Sequence, residues 1–263
     1  MTMTPLAPAP TFTDDDAREL LTGLESPATA SIAHLNSTHI LGSHPLHRAM
    51  SIDTTSRLVD ALNSLSKCGR TPDVIVITGT LATYCESDAY LSLIDLVHGT
   101  AERLGAAVMW APGEADDHDL FAELLAPADI FEPVVEVSGL RLVRLADGSE
   151  EELLNSLVGL AAPTELGIIL VMPESPQSSN DILARVIEES DVRAIIVGGG
   201  YNPTASQFAQ VPVFAAGSTA YTFGENLFSA PEDVGQTFNI VNVGEDTIVV
   251  ETLSTRHSAV PSP

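Results

Sequence analysis

The stretch Pro72-Asp73-Val74-Ile75-Val76-Ile77-Thr78-Gly79-Thr80-Leu81-Ala82 decides how the rest of the chain is read. Four β-branched apolar residues run without a polar break, preceded by proline and stopped at glycine. A half-buried strand alternates apolar and polar residues, whereas a strand covered on both faces is apolar throughout. The segment therefore predicts a central strand with its carboxyl end opening into a Gly/Thr turn.

Outward from it, two periods alternate. "TSRLVDALNSLSKCG" places apolar residues at 58, 59, 62 and 65, a helical spacing that closes with Gly69 as C-cap. "DAYLSLIDLVHGTAERLG" is a second amphipathic helix, and "DDHDLFAELLA" a third. "ASIAHL", "AAVMWAPG", "LGIILVMPE" and "VRAIIVGGG" read as strands, "VVEVSGLRLVRL" as a hairpin, and 150–161 and 180–189 as helices. The last portion is mostly β: "VPVFAAGS", "TFNIVNV" and "DTIVVETL", the final pair joined by a turn at Gly244-Glu245-Asp246. Alternation giving way to hairpins predicts one α/β domain over 28–256 with helix-covered mixed sheets. Residues 1–27 form a Pro/Ala/Thr-rich arm expected to be disordered apart from a short helix in "DDDARELLTGLESP", and 257–263 a flexible tail.

Composition narrows the partners. The chain has 263 residues, 44% hydrophobic, with 36 acids against 11 bases and a net charge of −25. Lys67 is the single lysine and the arginines are scattered. Phosphate contact needs clustered bases, so nucleic acid and anionic membrane surfaces are excluded as expected partners. The longest apolar runs are strand-sized, and the amino-terminal stretch has neither a basic start nor an apolar core of a secretory signal. With only Cys68 and Cys85, no disulfide framework is expected, and the cytoplasm is the expected compartment. The sequon Asn36-Ser37-Thr38 is then incidental.

Five apolar strands stop at small or polar segments: "LNSTHI", "TGTLAT", "APGEADD", "VMPESP" and "VGGGYNP". Ligand sites of open α/β sheets gather beyond such carboxyl ends, so the five ends predict one shared pocket. Their order and spacing resemble the calcineurin-like metallophosphoesterases, most closely the class III cyclic-nucleotide phosphodiesterase branch, from about Ala28 to about Thr255. The resemblance implies a four-layer α/β/β/α sandwich of two mixed sheets flanked by helices. It also implies a site for two divalent ions such as Mn, Fe, Zn or Mg, which polarise the phosphate and supply a hydroxide. Relatives in this branch often pair as homodimers, an expectation the resemblance extends to this chain, although no stretch selects a dimer surface.

The residues that would do the chemistry depart from the family. Ser37 stands for the Asp of Asp-x-His, and His39 alone survives. Thr80 replaces the bridging Asp. Gly113-Glu114-Ala115-Asp116 stands for Gly-Asn-His-Asp, with neither the metal-binding Asn nor the catalytic His. Glu174 replaces a histidine, and Gly199 and Tyr201 replace both histidines of Gly-His-x-His. A threonine hydroxyl cannot stand in for a bridging carboxylate, transition metals prefer imidazole and carboxylate to alcohols, and Ala115 has no proton to give. The expectation is a catalytically inactive homologue without a bound metal or other cofactor, serving a binding, scaffolding or regulatory role toward an unidentified protein partner.

Two alternatives stand beside it. Glu114, Asp116 and Glu174 would form a rebuilt all-oxygen site for a hard ion and a weakened phosphodiesterase. Otherwise the vacated pocket holds a nucleotide or other small ligand, with "GGGYNP" offering backbone N–H groups. Asp116-Asp117-His118-Asp119 also reads simply as an acidic helix start. His39, His44 and His47 have a loose metal-like spacing but no fourth ligand. Ser37 and His39 lack a nucleophile-elbow frame. Cys85 is expected to be inert, and Met109 and Trp110 to be core.

Overall fold

The computed structural model describes residues 30–42, 53–126, 132–145, 163–177, 180–221 and 236–255. The expected arm, tail and helix over 150–161 lie outside these residues, as do His44 and His47.

The elements are β1 (Ala30–Asn36), α1 (Thr54–Lys67), β2 (Val74–Gly79), α2 (Ser87–Leu104), β3 (Ala107–Pro112), α3 (His118–Leu125), β4 (Val134–Val137), β5 (Leu140–Arg144), β6 (Ile168–Met172), α4 (Asp181–Glu188), β7 (Val192–Val197), β8 (Thr204–Phe208), β9 (Val211–Ala215), β10 (Thr237–Val243) and β11 (Ile248–Ser254). They form a five-stranded sheet, β11-β10-β1-β2-β3, and a six-stranded sheet, β4-β5-β6-β7-β9-β8. β1, β2 and β3 run parallel, as do β5, β6, β7 and β9, and the outer hairpin partners run antiparallel, so both sheets are mixed.

Three apolar seams define four layers. Successive side chains of a strand face opposite sides. Ile75 and Ile77 of β2, with Ala33 and Leu35 of β1, pack against Leu58, Leu62 and Leu65 of α1, Leu93 and Val97 of α2, and Phe121 of α3. The alternate residues Val74 and Val76, with Ile32 and Met109, meet Leu142, Ile169, Val171 and Ile196 of the second sheet. The outer face of that sheet carries Val143, Leu170 and Ile195 against Leu183 and Ile187 of α4. The unbroken apolar run of β2 is thus explained: one half of its side chains faces helices and the other half a sheet. The order is α/β/β/α.

Local chemistry sets the helix ends. Asp53, Asp117 and Asn180 cap α1, α3 and α4, each side chain accepting from the backbone N–H three residues on. Gly69 follows the capping Cys68 of α1 with φ +74, and Gly105 caps α2 with φ +70, left-handed positions suited to glycine. Trp110 and Met109 are buried in the two seams of the first sheet. β8 was not apparent from the sequence: four of its five residues are exposed, so it lacks the apolar period that marks a strand. Among the described residues no helix is long and apolar enough to cross a membrane.

Candidate functional site

Parallel pairing brings the strand ends together. Asn36 lies opposite Thr78, Thr78 opposite Ala111, and Gly79 opposite Pro112, so β1, β2 and β3 finish on one edge. In the second sheet Met172 lies opposite Val197. The two edges meet at glycines. A Cβ on Gly198 would stand 2.4 Å from the Pro173 carbonyl and 2.5 Å from the Gly79 nitrogen; one on Gly113 would stand 3.0 Å from the Gly79 carbonyl carbon. Only residues without a side chain permit backbone to lie on backbone this way. The result is a cavity of about 350 Å³ lined by Gly79, Thr80, Gly113, Glu114, Ala115, Glu174 and Gly199.

Four of the five expected strand ends therefore line the cavity, the end of β1 does not, and the named residues divide. Thr80, Glu114, Ala115, Glu174 and Gly199 line the cavity. Ser37 lies behind its floor: its hydroxyl would be 2.6 Å from a Cβ on Gly79. His39 lies beside the cavity, its N–H donating to the Thr80 carbonyl at 3.1 Å. Its ring is parallel to Tyr201 at 6.1 Å between centroids and meets Tyr221 edge-on at 4.9 Å. Burial pushes the His39 imidazole down to about 4, so it is neutral at pH 7. Ser37 and His39 hold positive φ, 51° and 45°, outside the usual range for residues with a side chain.

Asp116 does not join Glu114 and Glu174 at the mouth, as the rebuilt-site alternative requires. Its carboxylate is turned inward and accepts from the N–H groups of Leu81 (2.9 Å), Ala82 (3.1 Å) and Gly113 (3.0 Å) and from the Tyr90 hydroxyl (3.0 Å). It ties the turn after β2 to the turn after β3. Burial still raises it above the ordinary carboxylate range, against the pull of these donors. A carboxylate with four donors on it has little left for an ion.

Beneath the cavity lies a polar network that sequence reading missed. Asn36 donates to the Gly200 carbonyl at 2.6 Å and the Ala216 carbonyl at 3.0 Å. Its oxygen accepts from Ser37 Oγ at 3.0 Å and Thr78 Oγ1 at 3.3 Å. His34 Nε2 is 2.8 Å from Thr78 Oγ1, and Ser218 Oγ donates to the Ser37 carbonyl at 2.8 Å. The signal was available: His34, Asn36 and Thr78 are the polar residues on the sheet-facing side of otherwise apolar strands, where a polar group must find partners.

The donor set does not fit a pair of divalent ions. Among the described residues the cavity lining carries two carboxylates, one hydroxyl and no imidazole. His39 is engaged by aromatic rings and Asp116 by backbone donors. Among the described residues no group of three His, Cys, Asp or Glu side chains is placed to hold a metal.

Cys85 Sγ donates to the Ala115 carbonyl at 3.1 Å. Cys68 Sγ donates to Leu65 at the end of α1, and both cysteines are free.

No protein-family model matches the chain. It is 31% identical over 258 residues to a probable cyclic nucleotide phosphodiesterase of Rhodococcus erythropolis, covering 88% of this chain and 83% of the relative. It is 32% identical over 259 residues to a cAMP/cGMP dual specificity phosphodiesterase of Mycobacterium tuberculosis, covering 88% and 79%. Among solved structures it superimposes on a dimetal phosphatase from Danio rerio with a TM-score of 0.54 at 12% identity, covering 88% of this chain and 100% of that one. A similar score, 0.54 at 11% identity, relates it to GAP50 of Plasmodium, covering 89% and 87%. These two likenesses speak to the fold alone. With its four layers, its strand-end pocket and its two phosphodiesterase relatives, the chain belongs to the calcineurin-like metallophosphoesterases, beside the cyclic-nucleotide phosphodiesterases.

Proposed function

We propose that this member of the family has left metal-dependent phosphoester hydrolysis and works by binding, in a scaffolding or regulatory role toward a protein partner. One observation carries the reading: among the described residues lining the cavity at the strand ends, the ionisable side chains are Glu114 and Glu174, and the sequence resemblance puts Thr80 and Ala115, also on the lining, where the family has its bridging aspartate and catalytic histidine. Two cations ~3.5–4 Å apart need several anionic or imidazole ligands to offset their repulsion. An alcohol and two carboxylates leave that repulsion largely standing. A phosphodiester would also meet two like charges there. Cytoplasmic residence and pairing as a homodimer are part of the same proposal, on the grounds given from the sequence.

The relatives' names favour a second reading, a weakened divalent-metal phosphodiesterase centred on Glu114 and Glu174. One experiment separates the two. The full chain is assayed with bis-p-nitrophenyl phosphate and 2′,3′-cyclic AMP, with and without Mn²⁺, and its metal content is measured by elemental analysis. The binding role predicts no turnover above the metal blank and no stoichiometric transition metal. Turnover that disappears in E114Q/E174Q would establish the second reading instead.

A further inference from the structure

The two sheets end in four edge strands, β3, β11, β4 and β8. Three of them are protected. β3 is buried along Met109–Pro112. β4 carries Glu136, ion-paired with Arg141, and β11 carries Glu251, ion-paired with Arg70. Cover and charge keep a foreign strand off a sheet edge. β8 has neither: four of its five residues are exposed, and Thr204-Ala205-Ser206-Gln207-Phe208 contains no charge. The neutrality is wide, since residues 194–224 include no Asp, Glu, Lys, Arg or His in a chain of net charge −25.

We propose that β8 pairs antiparallel with β8 of a second copy of this chain, joining two six-stranded sheets across a twofold axis at Ser206. This surface belongs to the homodimer named in the reading above and rests on that part of it.

The hairpin turn determines which backbone groups are free to pair. Ala209 and Gln210 hold φ of 45° and 67°, the two left-handed positions of a type I′ turn. Such a turn makes Phe208 and Val211 a hydrogen-bonded pair, and antiparallel pairs alternate from there. Gln207 opposite Pro212 and Ala205 opposite Phe214 are then the non-bonded pairs. Pro212, with no N–H to give, suits that place. The N–H and C=O groups of Ala205 and Gln207 therefore point away from β9. Among the described residues no strand pairs with that outer edge. A twofold axis at Ser206 sets Ala205 opposite Gln207 of the second copy, where they exchange two hydrogen bonds. The symmetry-related pair exchanges two more.

Charge selects a second copy as the occupant. Two chains at −25 repel wherever their acids face each other, and β8 is the exposed edge at which they meet without such a contact. A basic partner would be drawn to the acidic faces instead. The geometry is also self-complementary, as a twofold contact requires. Beside β8 the two sheets part in a groove of about 400 Å³, with Ala205, Phe214, Ile248 and Val250 on its lining and no ionisable side chain among the described lining residues. Phe214, Ile248 and Val250 are only partly buried. A strand added at β8 extends the second sheet past the mouth of this groove and withdraws apolar surface from water.

Sedimentation equilibrium of the full chain over the micromolar range tests the pairing. A dimer is expected, and it should tighten as salt rises, because salt screens the repulsion between two acidic copies. S206E and S206K each set like charges face to face on the axis and should weaken dimerisation about tenfold or more, whereas an equimolar mixture of the two should restore it. Q207P removes an outward N–H and no bond within the hairpin, and should weaken dimerisation as well. L91E places the same charge as S206E at a 45% exposed position on α2 and should leave the dimer unchanged. Ser206 is exposed, so its variants should keep the wild-type circular dichroism. A monomer throughout the range rejects this surface together with the homodimer reading. A dimer that S206E and Q207P leave intact, that L91E weakens equally, or that the S206E and S206K mixture fails to restore rejects the β8 pairing and leaves the homodimer reading standing.

Discussion

The imidazole of His39 lies parallel to the phenol ring of Tyr201, 8° from coplanar and 6.1 Å away. These two residues stand on the first and last of the five strand ends, where the sequence resemblance alone puts metal ligands of the family. In this chain the pair is joined by ring contact.

That contact has a pH signature. Burial lowers His39 to about 4 and His34 to about 3, against an ordinary value of 6.5. The unfolded chain therefore binds protons that the folded chain refuses as pH falls below 6.5. Stability contributed by these neutral histidines is full above that value and declines toward their folded values. Each contributes a slope approaching ~1.4 kcal/mol per pH unit inside the window. Acidification also relieves the self-repulsion of a chain at −25, which acts in the opposite direction. The comparison must therefore be differential. Urea unfolding at pH 7, 6 and 5 should show wild type losing more stability, or gaining less, than H39F. Parallel curves would remove His39 from this role.

Asn36 is fully buried and makes four hydrogen bonds across three chain segments. Replacing it by alanine leaves two carbonyls and two hydroxyls short of a partner in a largely buried seam. The expected loss is about 2–4 kcal/mol, since each buried group left unsatisfied costs roughly 1–3 kcal/mol and the small cavity admits some relaxation. Denaturant midpoints measure it. An N36A protein as stable as wild type would show the network to be incidental.

Gly198 tests the backbone seam. A Cβ there meets Pro173 O at 2.4 Å, Gly79 N at 2.5 Å and Gly79 Cα at 2.9 Å, all main-chain atoms that no rotamer change can move. Gly200, three residues from the same strand end, has its nearest neighbour at 3.6 Å. G198A should lose about 3 kcal/mol or more and G200A less than about 1 kcal/mol, as expected for overpacking against tolerated contact. Equal effects would contradict the close approach of the two sheets.

Much of this arrangement was legible from residue periodicity. The apolar run Val74–Ile77 required cover on both faces, and the 3.6-residue spacing in Thr54–Lys67 supplied a helix for one of them. The strand ends were legible as punctuation. What periodicity could not supply was direction in space. Asp116 reads as one more acid at a helix start, and only the fold turns it inward onto three N–H groups. Tyr221 is distant in sequence from His39, and its ring contact depends on the β9 region returning beside β1, where the Thr219 N–H donates to the Asn36 carbonyl at 2.9 Å. The polar residues His34, Asn36 and Thr78 were readable as a same-face set, but not their shared partners.

Restoring two aspartates tests whether the site is one step from its relatives. In S37D/T80D a carboxylate at 37 replaces a hydroxyl that donates to Asn36 Oδ1 at 3.0 Å, so an acceptor faces an acceptor in a position 4% exposed. A carboxylate at 80 enters a cavity already holding Glu114 and Glu174. Without an ion, both changes add like charge or an unmet acceptor to a buried or half-buried site. The double variant should unfold at lower temperature by about 2–4 kcal/mol of stability, a magnitude typical of a buried charge without a partner after partial relaxation. It should also carry no stoichiometric Mn²⁺, because Gly199 and Tyr201 supply no imidazole and His39 is held by its tyrosines. Elemental analysis and thermal unfolding with added Mn²⁺ decide it. A stabilised, Mn²⁺-loaded variant that hydrolyses bis-p-nitrophenyl phosphate would mean that the ring stack and the Asn36 network yield readily to metal, and that two substitutions separate this chain from an active phosphodiesterase.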